Sequence, residues 1–195
     1  MTEIRYTLLA EGYAELGFIP EILRQIGGDK YIWRKSNLNI PKPSNRARVL
    51  AKLEVFSETS LLRNKEDLFI AGIDLDQQET EKEMPLWNKE RKMIQEKLST
   101  KIPSDKVVIF IPIQAIDYWL LYLHDPQLAA NSAESKTRGE VKKLVYGKRN
   151  DGNSMQKTAK SLAVKPGVID ILSKKSRSFA CFAEEVKTFL KAPKT

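Results

Sequence analysis

Asp67-Leu68-Phe69-Ile70-Ala71-Gly72-Ile73-Asp74-Leu75-Asp76 is an apolar run that ends in two carboxylates two positions apart. An earlier run, Ile4-Arg5-Tyr6-Thr7-Leu8-Leu9-Ala10-Glu11-Gly12, also ends in an acid. Each reads as a buried strand that delivers a carboxylate to its carboxyl end. In an open parallel sheet that end is where ligands bind. Side chains alternate along a strand, so Asp74 and Asp76 are expected on one face. Carboxylates gathered on neighbouring strand tips repel one another unless a cation sits among them. For an all-oxygen site the simplest such cation is Mg²⁺.

Working outward, Glu11-Gly12-Tyr13 is a turn into a helix. Ile19, Ile22, Leu23 and Ile26 give that helix its period, and Gly27-Gly28 ends it. Pro20 is expected in the first turn, where it sacrifices no internal hydrogen bond. Tyr31-Ile32-Trp33 suggests a short strand, and Asn39-Ile40-Pro41-Lys42-Pro43-Ser44 a loop. Ser44 or Asn45 can cap a helix through Val49, Leu50, Leu53 and Phe56. Gln77-Gln78-Glu79-Thr80-Glu81 reads as a loop, 86–99 as a charged amphipathic helix, and Lys106–Pro112 as a further strand running into Asp117-Tyr118-Trp119-Leu120-Leu121. The β-α-β-α-β order implies right-handed crossovers and a mainly parallel sheet. The expected class is therefore α/β, with an α/β core over 1–125 and a basic, mostly helical part over 126–195 packed on it. A last helix is expected over Phe179–Leu190.

The 195 residues suit one domain with an appendage, and 42% hydrophobic content is enough for a core. One cysteine, Cys181, rules out a disulfide framework or a cysteine-based zinc site, and its apolar neighbours suggest a small buried side chain. One histidine, His124, rules out a histidine-rich metal site. Met1-Thr2-Glu3-Ile4-Arg5 lacks the layout of a signal peptide, and no apolar run approaches the ~20 residues of a membrane helix. A cytoplasmic location without membrane partners is expected.

The net charge of +8 is concentrated: 134–178 holds 12 Lys+Arg against 4 Asp+Glu. Lys142, Lys143, Lys148, Arg149, Lys157 and Lys160 could hold a phosphate backbone without sequence choice, or could simply be a solvated face. Gly147–Ser154 reads as an exposed loop. Trp119, Leu120 and Leu123 read as core, whereas Tyr31 and Trp33 are open to stacking on bases. Asp117 reads equally as a site acid or a helix N-cap, and Glu15 as an accessory acid or a helix-start acid favoured by the dipole.

The pairing of strand-Glu11-Gly12 with strand-Asp74-Leu75-Asp76 resembles a TOPRIM domain, the metal-binding α/β module of topoisomerases, primases, small ribonucleases and overcoming-lysogenization-defect nucleases. More narrowly, Glu11-Gly12-Tyr13-Ala14-Glu15 is similar to the Glu-Gly-x-Thr-Glu opening of the DUF4276 and RloB-like groups in bacterial defence loci. Asp117-Tyr118-Trp119-Leu120-Leu121, the Tyr146-Gly147-Lys148 neighbourhood and Ser176-Arg177-Ser178-Phe179-x-x-Phe182 are similar to further motifs of those groups. Ala14 replaces a small hydroxyl residue, Asp117 stands where glutamate is commoner, and Gln78 stands where topoisomerases often carry another acid. The resemblance implies a metal-dependent nuclease, an effector of anti-phage defence with an ABC/SMC-like ATPase partner. It implies Asp74 and Asp76 as ligands of Mg²⁺ (or Mn²⁺), Glu11 as a ligand or the base that orients water, and Asp117 completing the site. The alternative is a non-catalytic adaptor for such an ATPase or for nucleic acid. A Rossmann-like nucleotide binder is a distant third, since the chain lacks both Gly-x-Gly-x-x-Gly and Gly-x-x-x-x-Gly-Lys.

Overall fold

A computed structural model describes residues 1–38, 44–76, 84–130, 132–148 and 151–192. Four strands, β1 (Thr2–Leu9), β2 (Tyr31–Lys35), β3 (Leu68–Gly72) and β4 (Val107–Phe110), form one sheet in the order β2-β1-β3-β4. Every pairing is parallel. Among the described residues eight α-helices flank it: α1 (Tyr13–Gly27), α2 (Arg46–Glu58), α3 (Pro85–Lys97), α4 (Ile116–His124), α5 (Arg138–Tyr146), α6 (Gly152–Ala163), α7 (Val168–Lys175) and α8 (Arg177–Lys191).

The layering follows from strand alternation. Ile4, Tyr6, Leu8, Leu68, Ile70, Val108 and Phe110 face a core shared with α1 and α4–α8. Leu9, Phe69, Ala71 and Ile109 face the opposite way, onto α2 and α3. A parallel sheet covered on both faces requires strands apolar on both faces, and all five residues of β3 are buried. The winding leaves β1 toward β2 over one face, then crosses back to β3 and β4 over the other. Right-handed crossovers demand that switch of face. The chain therefore reverses direction between β1 and β3, and the carboxyl ends of those two strands flank the crevice.

The basic carboxyl-terminal helices share the first core. Trp119 is fully buried, stacked on Phe182 with centroids 6.3 Å apart and edge-on to Phe179 at 5.2 Å. Its indole N–H donates to Ser178 Oγ at 3.2 Å. Gly17 lets α1 approach α6 closely, since a Cβ there would lie 2.2 Å from the Gln156 carbonyl oxygen. At the open edge of β4, Glu185 of α8 accepts from the Ile109 N–H at 3.1 Å and pairs with Arg91 of α3 at 2.7 Å.

Several expectations need correction. Pro20 lies mid-helix, because α1 already starts at Tyr13 with Ala14 and Phe18 facing the core. Packing across α1 outweighs the hydrogen bond that a mid-helix proline forgoes. The 147–154 loop is shorter than expected, since Asp151 caps α6 at Gly152 by accepting from Ser154 N–H at 3.1 Å. Trp33 packs edge-on to Tyr6 at 5.8 Å, and Tyr31 donates to the Leu190 carbonyl at 3.1 Å, so both serve packing. Cys181 is half-buried beside the second core, and His124 is exposed at the end of α4. Asn45, rather than Ser44, caps α2. The loops expected at 39–43 and 77–81, with Gln78, lie outside the described residues, as does Arg149.

Candidate active site at the carboxyl end of the sheet

Register builds the site. Leu9 pairs with Ala71, so two residues on Glu11 comes level with the end of β3. There Glu11 Oε1 accepts from the Asp74 N–H at 3.0 Å. On the other side the pairing outlasts β4, with Leu75 N–H on the Pro112 carbonyl at 3.1 Å and Asp76 N–H on the Gln114 carbonyl at 2.9 Å. Asp76 and Gln114 both take left-handed backbone, at φ 55° and 62°. Such residues outside glycine are uncommon and cluster at functional sites. The extended alternation expected to align Asp74 with Asp76 has therefore ended before Asp76.

Helix starts supply the next layer. Asp74 Oδ1 accepts from the Ile116 N–H, the first residue of α4, at 3.0 Å. The amino end of α4 thus faces Asp74 and favours its charge. Asp117 sits one residue further in and does not cap α4, whose N-cap is Ala115. Its Oδ1 instead accepts from the buried Tyr146 hydroxyl at 2.5 Å. Glu15 is 3% exposed and folds back over Gly12, where a Cβ would lie 2.8 Å from its Oε2. The Glu-Gly opening thus leaves room for the second glutamate.

Glu11, Glu15, Asp74 and Asp117 line one cleft of about 140 Å³ together with Arg138 and Lys142. Ser44 also lines it, and its buried hydroxyl has no hydrogen-bond partner among the described residues. Asp76 opens instead onto a neighbouring cleft of about 320 Å³ with Gln114, Tyr118 and Lys136, and Arg138 lines both. Arg138 Nη2 pairs with Asp74 Oδ2 at 2.9 Å, Nη1 pairs with Asp76, and Nε lies 4.0 Å from Asp117 Oδ2. Lys142, one turn on, lies 4.0 Å from the same Asp117 oxygen. Arg46, the first residue of α2, donates to the Asp74 carbonyl at 3.3 Å and pairs with Glu90.

The electrostatics are those of crowded, buried acids. Burial, then Glu15, Glu11 and Asp117, push the Asp74 carboxyl well above the carboxylate range against the pull of Arg138. Burial and Asp76 likewise raise Glu11, while the Asp74 N–H, Arg46 and Arg138 oppose them. Burial and the nearby Asp117 raise Tyr146, which keeps it the donor of its pair. In each case burial is the largest cause, and neighbouring acids add to it.

The expected convergence is thus partial. Glu11, Asp74 and Asp117 share a cleft with Glu15, but Asp76 borders it only through Arg138. Among the described residues no three acids are already drawn into a cage for a metal ion. Of the expected basic contacts, Lys142 reaches the cleft, Lys160 pairs with Glu21 of α1 at 3.5 Å, and Lys143, Lys148 and Lys157 are exposed elsewhere. Arg138 and Arg46 were not anticipated. Both open a helix directly after a capping residue, Thr137 and Asn45. A cation at a helix start runs against the macrodipole, and that mismatch was the available sign of an acidic partner.

The donor set fits a hard divalent ion, being carboxylate oxygens on rigid strand ends and helix starts with a surplus of negative charge. Compared with protein-family models, curated proteins and solved structures, the chain shows no match.

Proposed function

We propose that the chain is a divalent-metal-dependent nuclease of TOPRIM type, cleaving phosphodiester bonds of DNA or RNA in bacterial anti-phage defence. The observation that carries this is the gathering of Glu11, Glu15, Asp74 and Asp117 in one cleft at the point where the winding of a parallel sheet reverses. A bound Mg²⁺ or Mn²⁺ would neutralise charge on a phosphate oxygen and lower the pKa of water. Asp74, Asp76 and Asp117 would hold it, and Glu11 would hold it or orient the attacking water. Lys142 lines the cleft and would meet a phosphate there, and the exposed Lys143, Lys148 and Lys157 would add sequence-independent attraction. The resemblance of the Glu11-Gly12 and Asp74-Leu75-Asp76 motifs, rather than the cleft, supports the defence role, with an ABC/SMC-like ATPase as the proposed partner and the cytoplasm as the proposed location. No helix among the described residues is long and apolar enough to cross a membrane.

The test is incubation with plasmid, single-stranded DNA and total tRNA in Mg²⁺, Mn²⁺ or EDTA. Cleavage that needs the metal and vanishes in Asp74→Asn, with an unchanged melting curve, is expected. Asn retains an oxygen for the Ile116 N–H, so this variant keeps the tie to α4 while removing the charge and the Arg138 pair. Metal-independent cleavage, or full activity in the variant, contradicts the assignment. The bridging of Asp74 and Asp76 by Arg138 favours one second reading, a non-catalytic adaptor whose acids are structural. In that case divalent metal leaves the melting temperature unchanged and no substrate is cut.

A further inference from the structure

We propose that Arg138 is the resident counter-cation of the acidic cleft, and that it yields Asp74 and Asp76 to an incoming divalent ion. This rests on the metal-site reading of the preceding section and adds an internal competitor to it. The guanidinium covers three carboxylates at once, with one nitrogen on each of Asp74 and Asp76 and Nε facing Asp117. Those are the oxygens that the ion would need.

The two sides of the contact are unequally fixed. The Asp74 and Asp117 side chains are 5% and 3% exposed, whereas Arg138 reaches in from the surface at 46%. Asp74 is tied to α4 through Ile116 N–H, and Asp117 to α5 through Tyr146. The backbone beneath Arg138 is also anchored. Thr137 and Glu140 form a reciprocal cap, Tyr118 donates to the Lys136 carbonyl at 2.7 Å, and Gln114 donates to the Glu134 carbonyl at 3.1 Å. The Arg138 side chain is thus the half-exposed partner of the contact, on a backbone held independently of it. It sits at the end of α5 where a cation is disfavoured by the helix, so only the acids hold it there.

Arg138 also lines both clefts. Its departure joins them into one groove running from Glu11 past Asp76 to Lys136. The freed guanidinium remains at the groove's edge, where a phosphate can take it in place of the carboxylates. In this scheme the site opens when metal arrives, and the metal-free site stays neutralised.

Mn²⁺ titration followed by the paramagnetic resonance of the free ion tests this without reference to cleavage. Wild-type protein, Arg138→Gln, Arg138→Lys and Asp74→Asn are compared, each with a melting curve. The expected result is that Arg138→Gln binds Mn²⁺ about tenfold tighter or more, within the usual range of coupling between competing sites. Asp74→Asn binds least. Arg138→Lys, which keeps the charge but loses the fork that sets a separate nitrogen on each acid, falls between Arg138→Gln and wild type, and it carries the test alone if Arg138→Gln fails to fold. Arg138→Gln is also expected to melt lower than wild type without metal and to regain that loss with Mn²⁺. Mn²⁺ binding that depends on Asp74 but is equal or weaker in both Arg138 variants overturns the proposal and leaves the metal site standing. No Mn²⁺ binding in any form overturns both.

Discussion

Gly72 ends β3 two residues before Asp74, and no larger residue fits there. A Cβ would come within 2.0 Å of the Phe110 ring, itself 1% exposed and packed edge-on to Phe182. Gly72→Ala is expected to destabilise by about 1–3 kcal/mol, the usual cost of overpacking a filled core. Urea denaturation measures it, and adding Phe110→Leu is expected to return part of the loss. An unchanged midpoint in the single variant would show that the ring yields freely. Asp74 shows what a single position can reveal from sequence. Its place after an apolar run marked it as a strand-end acid, and its carboxylate does lie in the cleft. Asp76 was legible only in part, because the left-handed turn that removes it from the strand's alternation leaves no mark in the residue type.

The helices and strands were legible where periodicity spoke. The apolar runs became β1, β3 and β4, and the Gly27-Gly28 stop became the end of α1, with Gly28 at φ 55°. Long-range partners were not legible. Nothing local to Arg138 states that it will meet Asp74, since their approach depends on how α5 packs on α4. The same holds for α8 against β4. Glu185 caps the Ile109 N–H on the open edge of the sheet, a place where an exposed strand invites unwanted pairing. Burial holds the Glu185 carboxyl above its ordinary value of 4.5, against Arg91 and the Ile109 N–H. The folded protein therefore binds more protons at this group than the unfolded chain does, between the ordinary and raised values. Stability contributed here is present below that window and falls as pH rises through it. Glu185→Gln keeps an acceptor for Ile109 and is expected to flatten that fall. Urea denaturation at stepped pH from about 4 to about 7 checks it, and an unchanged slope would contradict it.

Taken together, the fold separates its charges. The acids lie at the carboxyl end of the sheet, and the lysines that account for the +8 excess lie mainly on α5–α8, which close one face of that sheet. Those helices share a core with β1, so the basic part cannot drift from the acidic cleft without opening the interior. On the proposed reading, such a layout would bring a polyanion to the acidic cleft, where a divalent ion would accept it. The most direct measurement is diffraction from crystals soaked in Mn²⁺, with data collected to locate manganese by anomalous scattering. A peak bounded by Asp74, Asp76 and Asp117 beside Glu11, with Arg138 turned away from Asp74 and Asp76, is the expected result. Ordered carboxylates with no manganese among them, and Arg138 still spanning Asp74 and Asp76, would contradict a metal-dependent site.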